Sequence, residues 1–422
     1  MLSQKVSGTS TGLWLLVPEL LRLGAWDLLK GWTKGGDMDF EPRIALQVVN
    51  ESAICINRVR KKNSLGHQGF QLANGMGRLV TDEQVHSLLN GHTMEEAQDL
   101  MVHLGHQRQL SGHYGGDIIA IDPHRIISAS QRVMAKKKKV PDSPSGKMLQ
   151  TFFSLSAQTG QPIMATIAST GMPTTRATKD LLTATGKIIR TDSLLVADKE
   201  HFTEELLTTV NENSCFDILT PTLSNKRIKT LMEDLTYKSL WAGYAIAETP
   251  FSFRDSKEVF RLIAQRSGEV PGQYTYKAFI TTSPRPAQEL MEENYYDKRW
   301  SIEEFFRFEN EMGMKKASTL NLNIRYGKLA LAMIAQAATY QLRAKLKKEY
   351  RKWDARHLAT EILAWADGDV RVNDDTIIVT FYRAPQHLNP NDYINLPQIL
   401  QSENINPRIP WLYGFKLDFR FK

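Results

Sequence analysis

Tyr296, Arg299, Glu303 and Asn310 follow one another at intervals of three, four and seven residues within the segment YYDKRWSIEEFFRFENE, Tyr295–Glu311. At ~100° per residue those intervals put all four side chains on one face of a helix. A carboxylate preceded one turn earlier by a guanidinium and two turns earlier by a phenol makes a face able to bind a metal ion and a phosphate. The same residues also describe an amphipathic surface helix, with Ser301 and Glu304 as a capping box and Phe305, Phe306 and Phe308 packing inward. Taken alone, the segment leaves both readings open, and the rest of the chain weighs between them.

The chain has 422 residues, of which 42% are apolar, enough for roughly two to four domains with full hydrophobic cores. Its net charge of +7 and pI near 9.1 favour a polyanionic partner without naming one. Cys55 and Cys215 are the only cysteines, which excludes a disulfide framework and a cysteine zinc site and fits a reducing compartment. The most apolar early stretch, Leu13 to Leu29, is broken by Pro18, Glu19, Arg22 and Asp27, so it reads as neither a signal peptide nor a membrane span.

Residues 1–110 read as helical. LWLLVPELLRLGAWDLLKGW carries apolar residues on a helical period, with Gly31 as the expected stop. RIALQVVNESAICINRVRKK follows and ends in the basic cluster Arg58, Arg60, Lys61 and Lys62. Thr81 to Leu89 and Thr93 to Leu104 read as two short helices, capped by Thr81 with Gln84 and by Thr93 with Glu96. Such a pair suits a helix-turn-helix or any helical bundle. His67, His86, His92, His103 and His106 show no spacing that makes a ligand set.

From Gly115 the pattern changes to strands. GGDIIAIDPHRIISAS reads as a strand ending in Asp122, a turn at Pro123 and a second strand. The basic run Lys136, Lys137, Lys138 and Lys139 follows in a loop, then FFSLSAQ and QPIMATIAST as further strands. A helix near Thr174 to Thr185 leads into the strand SLLVAD, which ends in Asp198. KEHFTEELLTTVNEN is the next helix and CFDILTP the next buried strand. Three strands, a helix, a strand, a helix and a strand are the order of a ribonuclease H-like core. That fold places its first acid on the first strand, its second at the end of the fourth and its third on a later helix. Asp122, Asp198 and Glu303 occupy those places, although Asp122 also suits a turn before Pro123 and Asp198 a helix N-cap.

With these residues in view, the sequence resembles the bacterial insertion-sequence transposases with a DDE active site, in the branch whose ribonuclease H-like domain carries a β-strand insertion. That branch is marked by Tyr, two residues, Arg, three residues, Glu, six residues, Lys. Tyr296, Arg299 and Glu303 match it, while Asn310 stands in the lysine position. Arg307, one turn after Glu303, is placed to supply a phosphate-directed charge instead. The resemblance runs from about Gly115 to Tyr340. It implies an inserted β-sheet between Asp198 and Glu303, and YAIAETPFSF, EVFRLIAQRSG and YTYKAFITTS alternate as that requires. Trp241 falls there; a core position is the reading its sequence context favours, against a base-stacking role of the kind some relatives have.

The long segment IRYGKLALAMIAQAATYQLRAKLKKEYRKW reads as one helix, buried in its first half and basic from Arg343 to Lys352. VRVNDDTIIVTFYRAP reads as a hairpin around Asn373-Asp374-Asp375, and the tail from Leu388 stays unassigned. The expected architecture is an α/β ribonuclease H-like catalytic core interrupted by a β-strand insertion, with a helical N-terminal domain and a helical/β C-terminal region. Its segments are 1–110 for a helical DNA-binding region, 111–221 for the first part of the core, 222–290 for the insertion, 291–345 for the helix with Glu303, and 346–422 for a basic helix and tail.

The resemblance implies that Asp122, Asp198 and Glu303 bind metal, two Mg²⁺ or Mn²⁺ ions ~3.5–4 Å apart. Tyr296, Arg299, Arg307 and Lys136 to Lys139 would bind phosphate or DNA. The implied partners are double-stranded DNA, at element ends and target, and a second copy in a homodimeric synaptic complex, with no membrane. The implied setting is the bacterial cytoplasm, at the nucleoid. A ribonuclease H-like nuclease or resolvase, and a non-catalytic DNA-binding descendant of a transposase, are the competing readings.

Overall fold

The computed structural model describes residues 5–8, 10–56, 68–78, 80–128, 131, 133, 135–138, 144–169, 171–190, 192–213, 215–292, 295–309, 311–314, 319–364, 366–383 and 385–422. Lys139, Asn310, His67 and the basic cluster at 58, 60, 61 and 62 lie outside them.

Along the chain, β1 (Val6–Gly8) precedes a 3₁₀ turn (Thr11–Leu16) and the helices α1 (Val17–Arg22), α2 (Ala25–Thr33), α3 (Phe40–Ala53), α4 (Gln68–Ala73), α5 (Asp82–Gly91) and α6 (Met94–Leu110). The expected stop at Gly31 is not used. The break falls at Gly24, whose φ of 63° suits glycine, and α2 runs on to Thr33. Thr81 and Thr93 each accept from the backbone N–H three residues on, and Gln84 and Glu96 bond back to the cap N–H. Both are complete capping boxes.

Next come β2 (Ile118–Ile127), β3 (Lys136–Lys138), β4 (Ser145–Ser156), β5 (Gln161–Ser169), α7 (Thr174–Ile188), β6 (Ser193–Ala197), α8 (Glu204–Asn213), β7 (Phe216–Pro221) and α9 (Lys226–Asp234). The meander β8 (Lys238–Trp241), β9 (Tyr244–Phe251), β10 (Phe260–Ser267) and β11 (Thr275–Thr281) follows, then α10 (Ala287–Glu292) and α11 (Trp300–Glu309). The chain ends with α12 (Leu322–Ala344), α13 (Ala355–Leu358), β12 (Gly368–Asn373), β13 (Thr376–Phe381), α14 (Leu396–Ser402) and β14 (Lys416–Phe421).

The chain forms two compact units, one of Gly112–Phe305 and one of Met1–Ser111 with Phe306–Lys422. This departs from the five expected segments, because residues 306–345 group with the N-terminal helices rather than with the strands of 111–221. Within the discontinuous unit, α12 packs on α3, α5 and α6 and is buried almost throughout. A helix apolar all round needs neighbours on every side. Its small residues permit that: a Cβ at Gly327 would stand 3.1 Å from Leu89 Cδ2. The expected basic helix after residue 345 is not formed. α12 stops at Ala344, Arg343 pairs with buried Glu309, and Lys345 Nζ lies 2.7 Å from Glu19, which is fully buried. The hairpin β12–β13 turns at Asp374, with φ 53°. It joins β1 and β14 in a four-stranded sheet of order β1-β12-β13-β14, so residues 1–110 are not wholly helical.

The other unit is a mixed α/β structure built on a ten-stranded sheet, among the described residues, of order β3-β4-β2-β6-β7-β11-β10-β9-β8 with β5 on β4. β2, β6 and β7 are parallel, and β4 and β5 run antiparallel to their neighbours. The segment 222–290 adds its strands to this same sheet, through β11 against β7. The expected turn at Pro123 does not occur, since β2 is continuous and Pro123 stands opposite Phe152 of β4. On its other side β2 pairs with β6 only over Ile118 to Ile121. Beyond that point no strand among the described residues pairs with this side of β2, and there a strand can lack an N–H without losing a ladder bond.

Candidate active site

The register that ends the β2–β6 pairing also sets the site. Ile121 lies opposite Ala197, and the next residues on these parallel strands are Asp122 and Asp198. Two carboxylates therefore stand side by side where β6 ends and β2 runs on paired with β4 alone. Asp198 also caps the 3₁₀ turn Lys199–His201, accepting from Glu200 N–H at 3.0 Å and from His201 Nδ1 at 2.8 Å. Thr220 of β7 donates to the Asp198 carbonyl at 2.8 Å. The N-cap reading of Asp198 is met, and the same side chain stands next to Asp122.

The third group arrives from the 3₁₀ turn Tyr295–Arg299, which packs against β2 and β6, and from α11. The expected single helical face is not formed across this segment. Tyr296 and Arg299 sit in the 3₁₀ turn, where residues three apart eclipse, and the Arg299 guanidinium lies 5.9 Å from the Tyr296 ring. α11 begins at Trp300, so Ser301 lies inside the helix and forms no capping box with Glu304. Ile302 and Phe305 pack inward, while Phe306 is half-buried. One turn across the junction, Arg299 donates to Glu303 Oε1 at 2.9 Å and to Asp122 Oδ2 at 3.4 Å. A single guanidinium joins the first and third carboxylates.

Burial is the main force on these charges. It pushes the Asp122 carboxyl, 18% exposed, up to about 7, and the neighbouring Asp198 charge adds to this while Arg299 and His201 oppose it. Asp198 is also disfavoured by burial, but the His201 hydrogen bond and charge and the Glu200 N–H outweigh that and hold it below the usual carboxylate range. Burial raises the Tyr296 phenol. Asp122, Asp198 and Glu303 are hard oxygen donors of the type Mg²⁺ and Mn²⁺ take. Crowding that raises Asp122 is the electrostatic condition a divalent cation relieves. Among the described residues no three His, Cys, Asp or Glu side chains close on one point as a metal cluster, and Arg299 engages two of the acids. The donor chemistry fits such an ion.

The remaining predicted residues stand apart from this constellation. Lys136, Lys137 and Lys138 form β3, opposite Lys147, Gly146 and Ser145 of β4, so the basic run is a strand rather than a loop. Arg307 is exposed on α11. Trp241 is not a core residue: it is 50% exposed and stacks on Tyr244 at 4.3 Å and 12°. Both line a cavity of about 420 Å³ whose wall includes Gln265, Met291 and Tyr296. His201 was not singled out from the sequence, although a histidine three residues after an N-capping aspartate is the signal that would have found it. The same holds for Arg125, which pairs with Glu200 beside the site.

Among the described residues no helix is long and apolar enough to cross a membrane. No curated protein matches the sequence. The chain is similar to a solved structure, the cryo-EM structure of the piggyBac transposase synaptic complex with hairpin DNA, at 13% identity and a TM-score of 0.45, covering 86% of this chain and 83% of that one. A family model described as the transposase DDE domain matches residues 114–337, more than half of the chain and the stretch that carries Asp122, Asp198, Arg299 and Glu303. By that match the chain belongs to the transposase DDE domain family.

Proposed function

We propose that this protein is a DNA transposase that cleaves the ends of an insertion sequence and joins them to target DNA, using a ribonuclease H-like core. The observation that carries the reading is the placement of Asp122 and Asp198 side by side where the parallel strands β2 and β6 stop pairing, with Arg299 tying Asp122 to Glu303. Asp122, Asp198 and Glu303 would hold Mg²⁺ or Mn²⁺. When bound, such ions activate the attacking oxygen and stabilise the leaving oxygen of an in-line phosphoryl displacement. His201 fixes the Asp198 carboxylate by its Nδ1 contact, and the Glu200 N–H holds the same oxygen, Oδ1. Arg299, stacked near Tyr296 and Trp300, presents a planar fork that matches phosphate. Water attacking phosphorus expels the 3′-oxygen and leaves a nick. The freed 3′-hydroxyl, attacking a target phosphorus in line, expels the target strand's own 3′-oxygen as a hydroxyl and gives joined strands.

Lys136 to Lys139 and Arg307 would add contacts to DNA independent of sequence, and exposed Trp241, stacked on half-buried Tyr244, offers a platform for an unpaired base. Asn310 stands at the sequence position where relatives carry lysine, and Arg307, three residues earlier, would supply a phosphate-directed charge instead. The protein would act as a homodimer on element ends and target, at the bacterial nucleoid. The test uses a precleaved end oligonucleotide, a target plasmid and Mn²⁺. Joined product is expected from the wild type and none from Asp122→Asn, Asp198→Asn or Glu303→Gln, each of which still binds DNA. Cleavage without joining would make the protein a nuclease, and near-normal activity in any one variant would remove that residue from the site.

A further inference from the structure

Among the described residues four arginines are at least nine-tenths buried: Arg43, Arg108, Arg325 and Arg343. Three have acceptors. Arg43 donates to the carbonyls of Asp37 and Asp39, Arg108 to Gln336, and Arg343 to Glu309. Arg325, in the first turn of α12 and 9% exposed, has no hydrogen-bond or ion-pair partner for its guanidinium among the described residues. Burial draws its pKa down to about 10 with only Tyr326 acting against that, and it remains a cation at neutral pH. A buried charge without a counterion is unfavourable, and folds keep one where an external group completes it. The surrounding sequence supplies no internal acid, since residues 312–348 contain neither Asp nor Glu. Asn321 and Lys328, four residues before and three after, fall on the same helical face.

We propose that Arg325 is a phosphate-binding residue whose missing counterion is a backbone phosphate of bound DNA. This rests on the transposase reading above. A guanidinium meets a phosphate through two parallel N–H donors, and such contacts are the strong ones. Inorganic phosphate shares that chemistry; the polynucleotide is favoured because the chain carries +7 and belongs to a transposase family.

The experiment compares full-length wild type, Arg325→Leu and Arg325→Lys. Binding to a random-sequence duplex is measured across a salt series, and melting is followed with and without duplex or inorganic phosphate. Arg325→Leu should bind about tenfold more weakly at low salt and flatten the log–log salt slope by about 0.9. Without DNA it should melt no lower than the wild type, because the lost charge had no partner. Arg325→Lys, which keeps charge but not the fork, should retain the slope with weaker binding, and it serves as the test if the leucine variant does not fold. An unchanged slope and affinity in Arg325→Leu, or full wild-type affinity in Arg325→Lys, overturns the assignment. So does a phosphate-induced rise in melting temperature that depends on Arg325, which would make it a small-anion site. Failure of the wild type to bind any duplex would instead remove the transposase reading, and this proposal with it.

Discussion

Asp122→Asn is the perturbation whose outcome the geometry fixes most tightly. In the folded protein burial and the charge of Asp198 lift this carboxyl from 3.8 to about 7 against the pull of Arg299. A raised acid favours its protonated form, so its contribution to stability is complete below the unfolded pKa and is lost as pH rises through the folded one. The window therefore runs from about 4 to about 7. At 1.36 kcal/mol per pKa unit the full span corresponds to about 4 kcal/mol. Solvent access at an 18% exposed side chain lowers the working figure to about 2 kcal/mol. Asparagine is neutral throughout and escapes the loss. Denaturant melts of wild type and Asp122→Asn at pH 5 and pH 8.5, without divalent metal, should show the variant gaining about 1.3 kcal/mol relative to the wild type between the two, since pH 5 lies about a third of the way into the window. Mn²⁺ added at pH 8.5 should close the gap by stabilising the wild type alone. Parallel pH curves for the two proteins would refute the electrostatic account of the site, and a gap of opposite sign would mean that Arg299 dominates over burial.

Glu309 and Arg343 form a buried pair in the discontinuous unit, so Arg343→Met alone should cost about 3–5 kcal/mol by urea denaturation; replacing both residues by leucine should recover most of it, and additive losses would deny the pairing. Neutralising Lys136, Lys137 and Lys138 together should flatten the salt slope of DNA binding by roughly 2.7 without changing the ratio of specific to random affinity, and a changed ratio would show base reading by the strand. His201→Phe should weaken Mn²⁺ affinity by roughly 10–100-fold in calorimetry through loss of the contact that holds Asp198; unaltered affinity would leave His201 a packing residue.

What the sequence disclosed was local. Thr81 with Gln84 and Thr93 with Glu96 close their capping boxes within four residues, and the hairpin at residues 373–375 turns on adjacent residues. Asp198 was legible because an apolar strand ends beside it. Pro123 misled because its tolerance depends on where β6 stops pairing, a fact set more than seventy residues away. The same non-local cause hides the joining of β8–β11 to the rest of the sheet, made by Pro221, Thr220 and Leu219 against Phe279, Ile280 and Thr281. Trp241 carries no composition signal for exposure; its place on the edge strand β8 decides it. Lys345 looked like solvated charge until Glu19, in α1, stood beside it. The link of Arg299 to Asp122 spans 177 residues, and no periodicity reports it.

The pairing of β1 with β12 sets a schedule for synthesis. Val6, Ser7 and Gly8 wait for Val370, Asp369 and Gly368, and α3, α5 and α6 wait for α12 to cover their apolar faces. The strand-rich unit, Gly112–Phe305, has every one of its ladder partners available long before that. Pairings so distant in sequence form late. On the ribosome the carboxylate-bearing sheet can therefore assemble while the first hundred residues are still without their partners. A nascent chain stalled between residues 305 and 368 would carry exposed helix faces that a holdase can recognise, together with protease-resistant strands. The order of emergence thus separates assembly of the sheet that carries Asp122 from closure of the other sheet by β14 by more than a hundred codons.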